Sequence, residues 1–415
     1  MMDQPLASRT APTPRIDAVQ LNADIEATAR FGGTGNGGVS RLTLTPEDKA
    51  VRDWFVARCI ELGCRVDVDP IGNLFASYPG RNAALPVIMT GSHLDTQPGG
   101  GRYDGVLGVL AGLAALRALK SSGIVTEHPL TVVNWTNEEG SRFSPAMFGS
   151  GVHAGAIELD EALAVRDRAG ISVGEALDAI GYRGSQAYRQ TPAAYVELHI
   201  EQGPVLEAEG TAIGAVTGVQ GLRWFDVVIE GTESHAGSTP MANRRDALTA
   251  AARLILAVEA IGRAHAPGVL TVGHAGISPN SRNVVPGRVN LQIDMRHPSQ
   301  TGLDAMETAL RQAVAGQADS RIERIWAKQP VAFDPACIEA VRQAAVDCGL
   351  SCRDIASGAG HDAAHLAALA PTAMIFIPSR DGLSHNEREY SSPRQCADGA
   401  EVLLRTLLEL DRRLA

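Results

Sequence analysis

The sequence predicts an α/β fold in which a mixed, mostly parallel sheet is flanked by helices and a ferredoxin-like α+β domain is inserted. Strand-like and helix-like segments alternate between residues 64 and 135, which is typical of a parallel sheet. The order changes to β-α-β-β-α-β over residues 218–332, the split βαβ arrangement of a ferredoxin-like module. The alternating pattern returns after residue 333. A chain of 415 residues exceeds the length that one core usually serves, so two domains are expected.

We therefore expect a first domain made of residues 19–217 and 333–415, with a second domain of residues 218–332 inserted into it. Residues 1–18 are interpreted as a disordered leader, because they lack the basic-then-apolar layout of a secretory signal. No apolar run approaches the roughly 18 residues needed to span a membrane. The cytoplasm is the expected location.

The elements of the first domain follow from caps and apolar spacing. Thr45–Pro46 is a typical helix start, and Gly63 is a typical stop. Apolar residues between them keep helical spacing. Strands and a helix are then expected, in order, at about 64–69, about 73–78, a strand ending at Met89, a helix at about 106–121, and the strand "PLTVVNW".

The second domain and the C-terminal part are predicted in the same way. Its expected strands are "RWFDVVIEG", "VLTVGHAGI", "RVNLQIDMR" and "RIERIWA", with helices at about 242–264 and 302–316. The chain then returns to the first domain through the helix "DPACIEAVRQAAVDCG", the strand "TAMIFIP" and the helix "GAEVLLRTLLELDRRL".

Composition excludes two classes of protein. Lys and Arg number 37 against 47 Asp and Glu, a net charge of −10, which argues against a general nucleic-acid binder. The six cysteines form no C-x-x-C pair, so reduced and mostly buried thiols are expected.

Four strand-like runs end in acidic or histidine residues: "VIMTGSHLD", "TVVNWTNEEG", "AAYVELHIEQG" and "IFIPSRDGLSHNE". Functional groups collect at the carboxyl ends of strands in parallel sheets. Burying unpaired carboxylates is costly, and a bound divalent cation would compensate them. The pattern therefore predicts one shared metal site.

The available ligands are imidazoles and carboxylates without thiolate, which suits Zn²⁺, Mn²⁺, Co²⁺ or Ni²⁺. They are more than one open catalytic zinc uses, so two ions bridged by a carboxylate, about 3.5–4 Å apart, are expected. The candidate ligands are His93, Asp104, Glu138 or Glu139, His199 and His385.

Two pairs of acidic and histidine residues suggest a division of roles. Asp95 lies two residues after His93, so on an extended segment it could fix which ring nitrogen of His93 stays free. Glu138 and Glu139 are neighbours, and successive side chains on an extended segment point apart. One can bind a metal while the other takes a proton from the attacking water and passes it to a leaving nitrogen.

Each of these motifs alone has a structural explanation, and only their combination indicates a site. A lone His-x-Asp, a Glu pair and a core histidine are common in folded proteins. His361 and His365 have i, i+4 spacing but lack the Glu of H-E-x-x-H, so no zinc site is expected there. The histidines expected to be structural are His128, His153, His265, His274 and His297.

In these motifs the chain resembles the M20 family of dinuclear metal amidohydrolases, in the branch of the N-carbamoyl-L-amino-acid hydrolases and allantoate amidohydrolases. The likeness extends from about residue 20 to the C-terminus and rests on "GSHLDT", "GGGRYDG", "NEEGSRF", "ELHIEQG", "NVVPG", "DMRH" and "SHNE". It implies a zinc-peptidase-like catalytic metal-binding domain and a ferredoxin-like lid that also forms a homodimer interface. Histidine at position 199 resembles the carbamoyl-cleaving branch, whereas related peptidases often have a carboxylate there.

The resemblance also implies a role for each matching residue. Asp104 would bridge two metals, one held with His93 and His199 and the other with Glu139 and His385. The catalytic group would comprise the general base Glu138, Asp95 behind His93, and His235 of "ESHAGSTPM", which would polarise the scissile carbonyl. The substrate would contact Gln202, Asn283, Arg296, Gly360 and His361, of which Asn283 and Arg296 would hold its carboxylate.

The implied reaction is hydrolysis of the carbamoyl C–N bond of an N-carbamoyl-L-amino acid to the amino acid, CO₂ and ammonia. Allantoate amidohydrolase or β-ureidopropionase activity on another ureido acid is the nearest alternative. A peptidase or aminoacylase is further away because of His199. A metal-free binding protein that keeps the fold is the alternative from another class. The expected partner is a small ureido acid, with no nucleic acid and no membrane.

Overall fold

The computed structural model describes residues 14–317 and 319–415, which form two compact units. Of the described residues, unit 1 contains those through Thr217, together with Phe333–Ile355 and Gly360–Ala415; unit 2 contains those of Gly218–Ala332 and Ala356–Ala359. The short segment 356–359 differs from the expected division. It belongs to unit 2 because Gln220 N–H donates to Ser357 O and Arg296 Nη1 donates to Gly358 O, both at 2.9 Å.

The expected leader falls largely on residues 1–13, which lie outside the described residues. Its last residues are ordered, so the predicted boundary at residue 18 is wrong. Ile16 N–H donates to Glu401 Oε2 at 2.9 Å, and Asp17 caps the first helix by accepting from Gln20 N–H. Aspartate is a favoured N-cap residue, and the helix begins at Ala18.

Twelve α-helices are described in residues 14–317 and 319–415. They are α1 Ala18–Thr28, α2 Pro46–Leu62, α3 Val106–Ser122, α4 Phe148–His153, α5 Leu159–Ala164, α6 Val173–Ile180, α7 Val205–Glu209, α8 Ala247–Ala264, α9 Gln300–Ala315, α10 Pro335–Asp347, α11 Ala363–Leu366 and α12 Pro393–Leu414. Among these residues, no helix is both long and apolar enough to cross a membrane.

Fifteen strands are described in the same residues. They are β1 Arg65–Val68, β2 Leu74–Tyr78, β3 Ile88–His93, β4 Leu130–Trp135, β5 Ala194–Ile200, β6 Ile213–Val219, β7 Gly221–Glu230, β8 Ser234–His235, β9 Val269–Ser278, β10 Val284–Val285, β11 Arg288–His297, β12 Ser320–Lys328, β13 Val331–Ala332, β14 Cys352–Ser357 and β15 Thr372–Ile377.

The sheet of unit 1 has the order β1-β2-β4-β3-β5-β15-β6-β13, with β14 also paired to β6. Its centre is parallel, since β4, β3, β5 and β15 pair in parallel along that order. Its margins are antiparallel. The predicted mostly parallel sheet flanked by helices is confirmed. Helix α3, with 13 of its residues buried, packs against β3 and β5.

The sheet of unit 2 has the order β12-β7-β11-β9 and is antiparallel throughout. Together with α8 and α9 this gives the predicted β-α-β-β-α-β arrangement. Both helices pack on one face, where the core includes Phe225, Val227, Leu254, Leu291 and Leu310. The short strands β8 and β10 pair with each other outside this sheet.

Local sequence explains the helix that precedes the central strands. The Thr45 side chain accepts from Asp48 N–H, Pro46 opens α2, and Gly63 ends it with φ 93°. The predicted cap is therefore confirmed. Asp48 does not complete a capping box, because its carboxylate accepts from Leu44 N–H and pairs with Arg52.

Strand β3 is longer than the sequence indicates. It was expected to end at Met89, but it continues through Gly91 and pairs with β4 as far as His93. Gly91 has φ 152°, and a Cβ built on it would lie 2.0 Å from Val133 O. This glycine permits a close approach of two strands instead of ending one. His93 is therefore the last residue of the strand and is held by it.

Candidate metal centre

Five predicted metal ligands converge at one edge of the unit 1 sheet. The parallel strands β4, β3, β5 and β15 are neighbours, so their carboxyl ends lie side by side. His93 ends β3, and His199 is the next-to-last residue of β5. Glu139 follows β4, and His385 lies in the loop after β15. Asp104 lies in the connection from β3 to α3.

Asp104 lies between the two predicted ligand sets. Its Oδ1 is 3.6 Å from His93 Nε2 and 3.1 Å from His199 Nε2. Its Oδ2 is 3.4 Å from His385 Nε2, which is 3.4 Å from Glu139 Oε2. Within each set of three residues, the ligand atoms lie within 4.8 Å of one another. One carboxylate thus offers one oxygen to each set, as a bridging ligand does.

Glu138 lies on the His93 side of Asp104. Its Oε2 is 3.5 Å from His93 Nε2, and its side chain is 10% exposed. Glu138 faces His93, whereas Glu139 faces His385, so the two glutamates are directed to different ligand sets. The reason expected from the sequence, an extended segment, is wrong. They lie in a turn after Asn137 (φ 57°) and not on an extended segment. Both N–H groups of this turn face the carboxylate of Asp95, at 3.3 Å.

The two buried histidines are oriented by backbone carbonyls. His93 Nδ1–H donates to Asp95 O, and His199 Nδ1–H donates to Ile200 O, each at 2.9 Å. Both rings therefore direct Nε2 toward Asp104. The Asp95 carboxylate is farther, with Oδ1 3.7 Å from His93 Nδ1. Asp95 thus contacts His93 through its carbonyl, while its carboxylate holds the turn of the two glutamates.

The His93 ring lies directly against the backbone of Gly105. His93 Nε2 is buried and has no hydrogen-bond partner. A Cβ built on Gly105 would lie 2.2 Å from this nitrogen, so no side chain fits there. Gly105 N–H also lies 3.1 Å from His199 Nε2, so the same residue borders both histidines. An orphaned buried nitrogen and a donor set of nitrogen and oxygen fit a divalent metal.

The pKa shifts of these side chains also fit a site for a divalent metal. Burial raises the pKa of Glu139 to about 7, and the neighbouring Asp104 adds to this effect. Burial also raises the pKa of Glu138 well above its usual value, while His93 acts in the opposite direction. For His93, burial lowers the pKa, but Glu138 and Asp104 outweigh it and raise the pKa well above the usual value. The buried carboxylates and imidazoles thus shift one another's pKa strongly, and a bound cation would favour ionised carboxylates and neutral imidazoles.

Two predicted substrate residues border the metal ligands. Gln202 Nε2 donates to Asp104 Oδ2 at 2.8 Å. The ring of His361 lies 4.5 Å from that of His199, and burial lowers the pKa of His361 well below its usual value. Gly360 lies beside Met147, whose Cε would be 3.0 Å from a Cβ built on this glycine.

Two other predicted residues, His235 and Asn283, lie together in unit 2. His235 in β8 pairs with Val284 in β10, next to Asn283. His235 Nδ1 accepts from the N–H groups of Gly237 and Ser238, at 3.0 and 3.1 Å. A neutral ring therefore carries its proton on Nε2, where it can donate to an oxygen.

Arg296, the predicted carboxylate-binding residue, also lies in unit 2, on β11. Its Nε and Nη2 each donate to an Asp294 carboxylate oxygen at 3.0 Å. Trp224 Nε1 donates to the same carboxylate at 3.0 Å. The Arg296 guanidinium is therefore already oriented by a bidentate ion pair.

The other histidines occupy separate positions. His128 and His265 bond backbone carbonyls through Nδ1. His153 lies against the Phe75 and Trp135 rings. Within residues 14–317 and 319–415, the possible ligand group that contains His361 joins it to Glu197 and His199 and does not include His365.

The sequence patterns missed several buried polar groups around the ligands. Glu197 accepts from Ser92 Oγ at 2.7 Å and from Ala363 N–H at 3.0 Å. Glu389, which is 4% exposed, accepts from the N–H of Asp104 at 3.0 Å. Glu197 could have been noticed as an acid inside the apolar run "AYVELHI". Glu389 gave no such signal, because it follows a polar loop.

Comparisons with known proteins agree with this geometry. Residues 89–409 match Peptidase family M20/M25/M40. The chain is 46% identical over 404 residues to an N-carbamoyl-L-amino-acid amidohydrolase of Rhizobium meliloti, covering 95% of this chain and 97% of that one. It is 38% identical over 397 residues to an allantoate amidohydrolase of Bacillus subtilis, covering 93% and 96%. A putative amidohydrolase/peptidase structure from Burkholderia cenocepacia has a TM-score of 0.94 at 50% identity, covering 96% and 100%.

Proposed function

Because the chain belongs to Peptidase family M20/M25/M40, as its motifs predict, we propose that it hydrolyses the carbamoyl C–N bond of N-carbamoyl-L-amino acids. The products are the free amino acid, CO₂ and ammonia. The observation that supports this most is the position of Asp104, with Oδ1 near His93 and His199 and Oδ2 near His385. The relative from Rhizobium meliloti carries the name of this activity.

We propose that two divalent ions, of Zn²⁺, Mn²⁺, Co²⁺ or Ni²⁺, are held by the two sets that share Asp104. His93 and His199 complete one set, and Glu139 and His385 complete the other. Divalent ions in such a site act as Lewis acids toward a carbonyl and make water more acidic.

Glu138 is the proposed general base. Its carboxylate lies beside His93 Nε2 at 3.5 Å and is nearly buried. Burial raises its pKa, which makes the carboxylate a better proton acceptor from the attacking water. The same carboxyl group then gives this proton to the leaving nitrogen, so the residue ends the cycle unchanged.

Three residues of unit 2 are proposed to bind the substrate. Arg296 offers a planar fork that suits a carboxylate, and Asn283 offers an amide. The Asp294 carboxylate that pairs with Arg296 keeps the guanidinium extended before substrate binds. His235, with Nδ1 bonded to its own loop, is proposed to donate from Nε2 to the carbonyl oxygen as negative charge develops there.

A homodimer formed through unit 2 is also proposed. Strand β9 is an edge strand of ten residues, and unpaired edges favour association. Apolar side chains are exposed on β9 and α8, including Val269 at 51% and Leu256 at 66%. We expect light scattering to give twice the chain mass and Leu256→Glu to give a monomer. A monomeric wild-type protein would contradict this proposal.

The proposed reaction is tested by measuring ammonia release. The metal-loaded protein is given a panel of N-carbamoyl-L-amino acids, β-ureidopropionate and allantoate, before and after chelation. We expect turnover of N-carbamoyl-L-amino acids that is lost on chelation and restored by metal. Turnover of allantoate alone would assign the second candidate activity, which the Bacillus subtilis relative supports. If the protein bound a ureido acid without metal and did not hydrolyse it, the protein would be a binding protein and not an enzyme.

A further inference from the structure

A buried carboxylate from another part of the chain contacts the bridging residue of the metal centre. Glu389 lies in the loop that joins β15 to α12, four residues after His385. It is 4% exposed. Its Oε1 accepts from the N–H groups of Tyr103 and Asp104, both at 3.0 Å. One oxygen of Glu389 therefore fixes the backbone at the bridging residue.

The second oxygen of Glu389 reaches the side chain of the same residue through a hydroxyl. Glu389 Oε2 lies 2.9 Å from Ser384 Oγ, and Ser384 Oγ lies 2.7 Å from Asp104 Oδ2. Asp104 Oδ2 is the oxygen that faces His385. Glu389 thus contacts both ends of Asp104, directly at the backbone and through Ser384 at the carboxylate.

The chain leaves room for this carboxylate at a glycine. A Cβ built on Gly101 would lie 2.0 Å from Glu389 Oε1 and 2.1 Å from its Cδ. Gly101 is not in the left-handed region, so backbone conformation does not require a glycine there. The requirement comes from the space that Glu389 occupies. The side chain of Glu389, almost 300 positions away in the sequence, therefore explains why residue 101 of "GGGRYDG" is a glycine.

We propose that Glu389 is a positioning residue that sets the orientation of Asp104 between the two ligand sets. The inference rests on the proposed function, because it assigns Asp104 the role of bridging ligand. Groups that support metal ligands by hydrogen bonds typically change metal affinity about 10–100-fold when they are removed. A residue that only anchored its own loop would change stability and leave metal affinity unchanged.

The test compares two substitutions of Glu389 with a matched control. Glu389→Ala removes both contacts. Glu389→Gln keeps an oxygen for the two N–H groups, and its amide N–H can donate to Ser384 Oγ, whose hydroxyl still donates to Asp104. Glu387→Ala is the control, since Glu387 is half-buried on the same loop and its carboxylate accepts from Asn36. Ser384→Ala removes the hydroxyl link alone and serves if Glu389→Ala does not fold.

Two readouts separate positioning from stability. Co²⁺ is titrated into each metal-free protein by calorimetry, with the visible absorption of bound Co²⁺ recorded, and thermal unfolding is followed without metal. We expect Glu389→Ala to weaken Co²⁺ binding about 10–100-fold and to change the spectrum. Glu389→Gln should stay within about threefold of wild type, Ser384→Ala should be weakened, and Glu387→Ala should match wild type.

The possible failures are distinguishable. Wild-type protein that binds two Co²⁺ ions while Glu389→Ala binds them equally well would overturn the role of Glu389 and leave the proposed function intact. Glu389→Gln as weak as Glu389→Ala would also overturn it, because the hydrogen bonds would not be the cause. Wild-type protein that binds no Co²⁺ would overturn the proposed function and the inference together.

Discussion

Two clusters of buried charge in unit 1 differ in how their charges are balanced. In the first, Asp48 and Arg52, with side chains 0% and 1% exposed, form an ion pair at 2.8 Å. Arg52 also donates to Gly72 O at 2.7 Å and to Thr136 Oγ1 at 3.2 Å. Each charge has an opposite charge in contact, so the pair joins α2 to two loops without an excess of either sign.

The metal centre has no such ion pair with an arginine. Asp104, Glu138 and Glu139 face imidazoles, and burial raises the pKa of both glutamates. His93 Nε2 lies among them without a hydrogen-bond partner. Both clusters are buried, so burial alone does not identify a functional site. The cluster with strongly shifted pKa values and an orphaned ring nitrogen is the candidate for a ligand from outside the chain.

Replacing the proposed base is expected to have the largest effect. Glu138→Gln removes the proton acceptor, so turnover of an N-carbamoyl-L-amino acid should fall about 10²–10⁴-fold. Metal content should stay the same. The metal-free variant should also be at least as stable as wild type in urea, because a carboxyl group that burial disfavours in its charged form has been replaced by an amide.

Glu387→Gln is the control for that variant, since Glu387 is a half-buried glutamate that accepts from Asn36 and belongs to neither ligand set. Its turnover should equal that of wild type. If Glu138→Gln retained wild-type turnover, Glu138 would not be the base.

The balanced cluster should respond in the opposite way. Arg52→Met leaves the Asp48 carboxylate buried without a counter-charge, which should lower the free energy of unfolding by about 3–5 kcal/mol. Urea unfolding of the metal-free protein measures this. Lys49→Met, on the same helix, breaks the exposed Lys49–Asp53 pair and should cost less than about 1 kcal/mol. Equal losses in the two variants would remove the distinction between the clusters.

The close packing of His93 on Gly105 can be tested with the two glycines that flank α3. Gly105 precedes the helix with φ 65°, and Gly123 follows it with φ 68°. An alanine Cβ at 105 would lie 2.2 Å from His93 Nε2, whereas at 123 no atom lies within 4 Å. Both substitutions should cost about 1–3 kcal/mol of stability through backbone strain.

Only Gly105→Ala should also weaken metal binding, by about tenfold or more. Calorimetric titration of the two metal-free variants gives this comparison. Comparable metal affinities for Gly105→Ala and Gly123→Ala would show that metal binding does not depend on the position of the His93 ring.

The smallest effect concerns a buried histidine outside the metal centre. Burial lowers the pKa of His153 to about 4, without a carboxylate to oppose it. The unfolded chain therefore binds more protons between pH 6.5 and 4, so stability should fall as pH decreases through this window. The loss should be at most about 3 kcal/mol.

Urea unfolding at several pH values tests this expectation. The variant His153→Gln cannot titrate, so its stability should depend less on pH in this window. The same slope in wild type and variant would show that His153 does not carry the effect.

The sequence predicts the metal centre better than its surroundings. The ligands follow parallel strands, and parallel strands place their carboxyl ends together. The two ligand sets around Asp104 therefore follow from topology. The part played by Asp95 does not, because whether its carbonyl or its carboxylate contacts His93 depends on a turn that periodicity does not describe.

Other features need tertiary contacts. Strand β6 contains Gly214 and Gly218, which obscure its apolar pattern, although it pairs with β15 and β13. Gly91 permits a strand to continue where a stop was expected. Glu389 contacts Asp104 across nearly 300 positions, and no local pattern indicates such a contact.

The central claim is that Asp104 joins two metal ions. Its most direct test is the metal content of the purified protein after equilibration with Zn²⁺ or Mn²⁺ and dialysis, measured by mass spectrometry of the elements. We expect two ions per chain for the wild-type protein and fewer for Asp104→Asn, which loses the charge that both sets share. One ion or none in the wild-type protein, or two ions retained in Asp104→Asn, would contradict the claim.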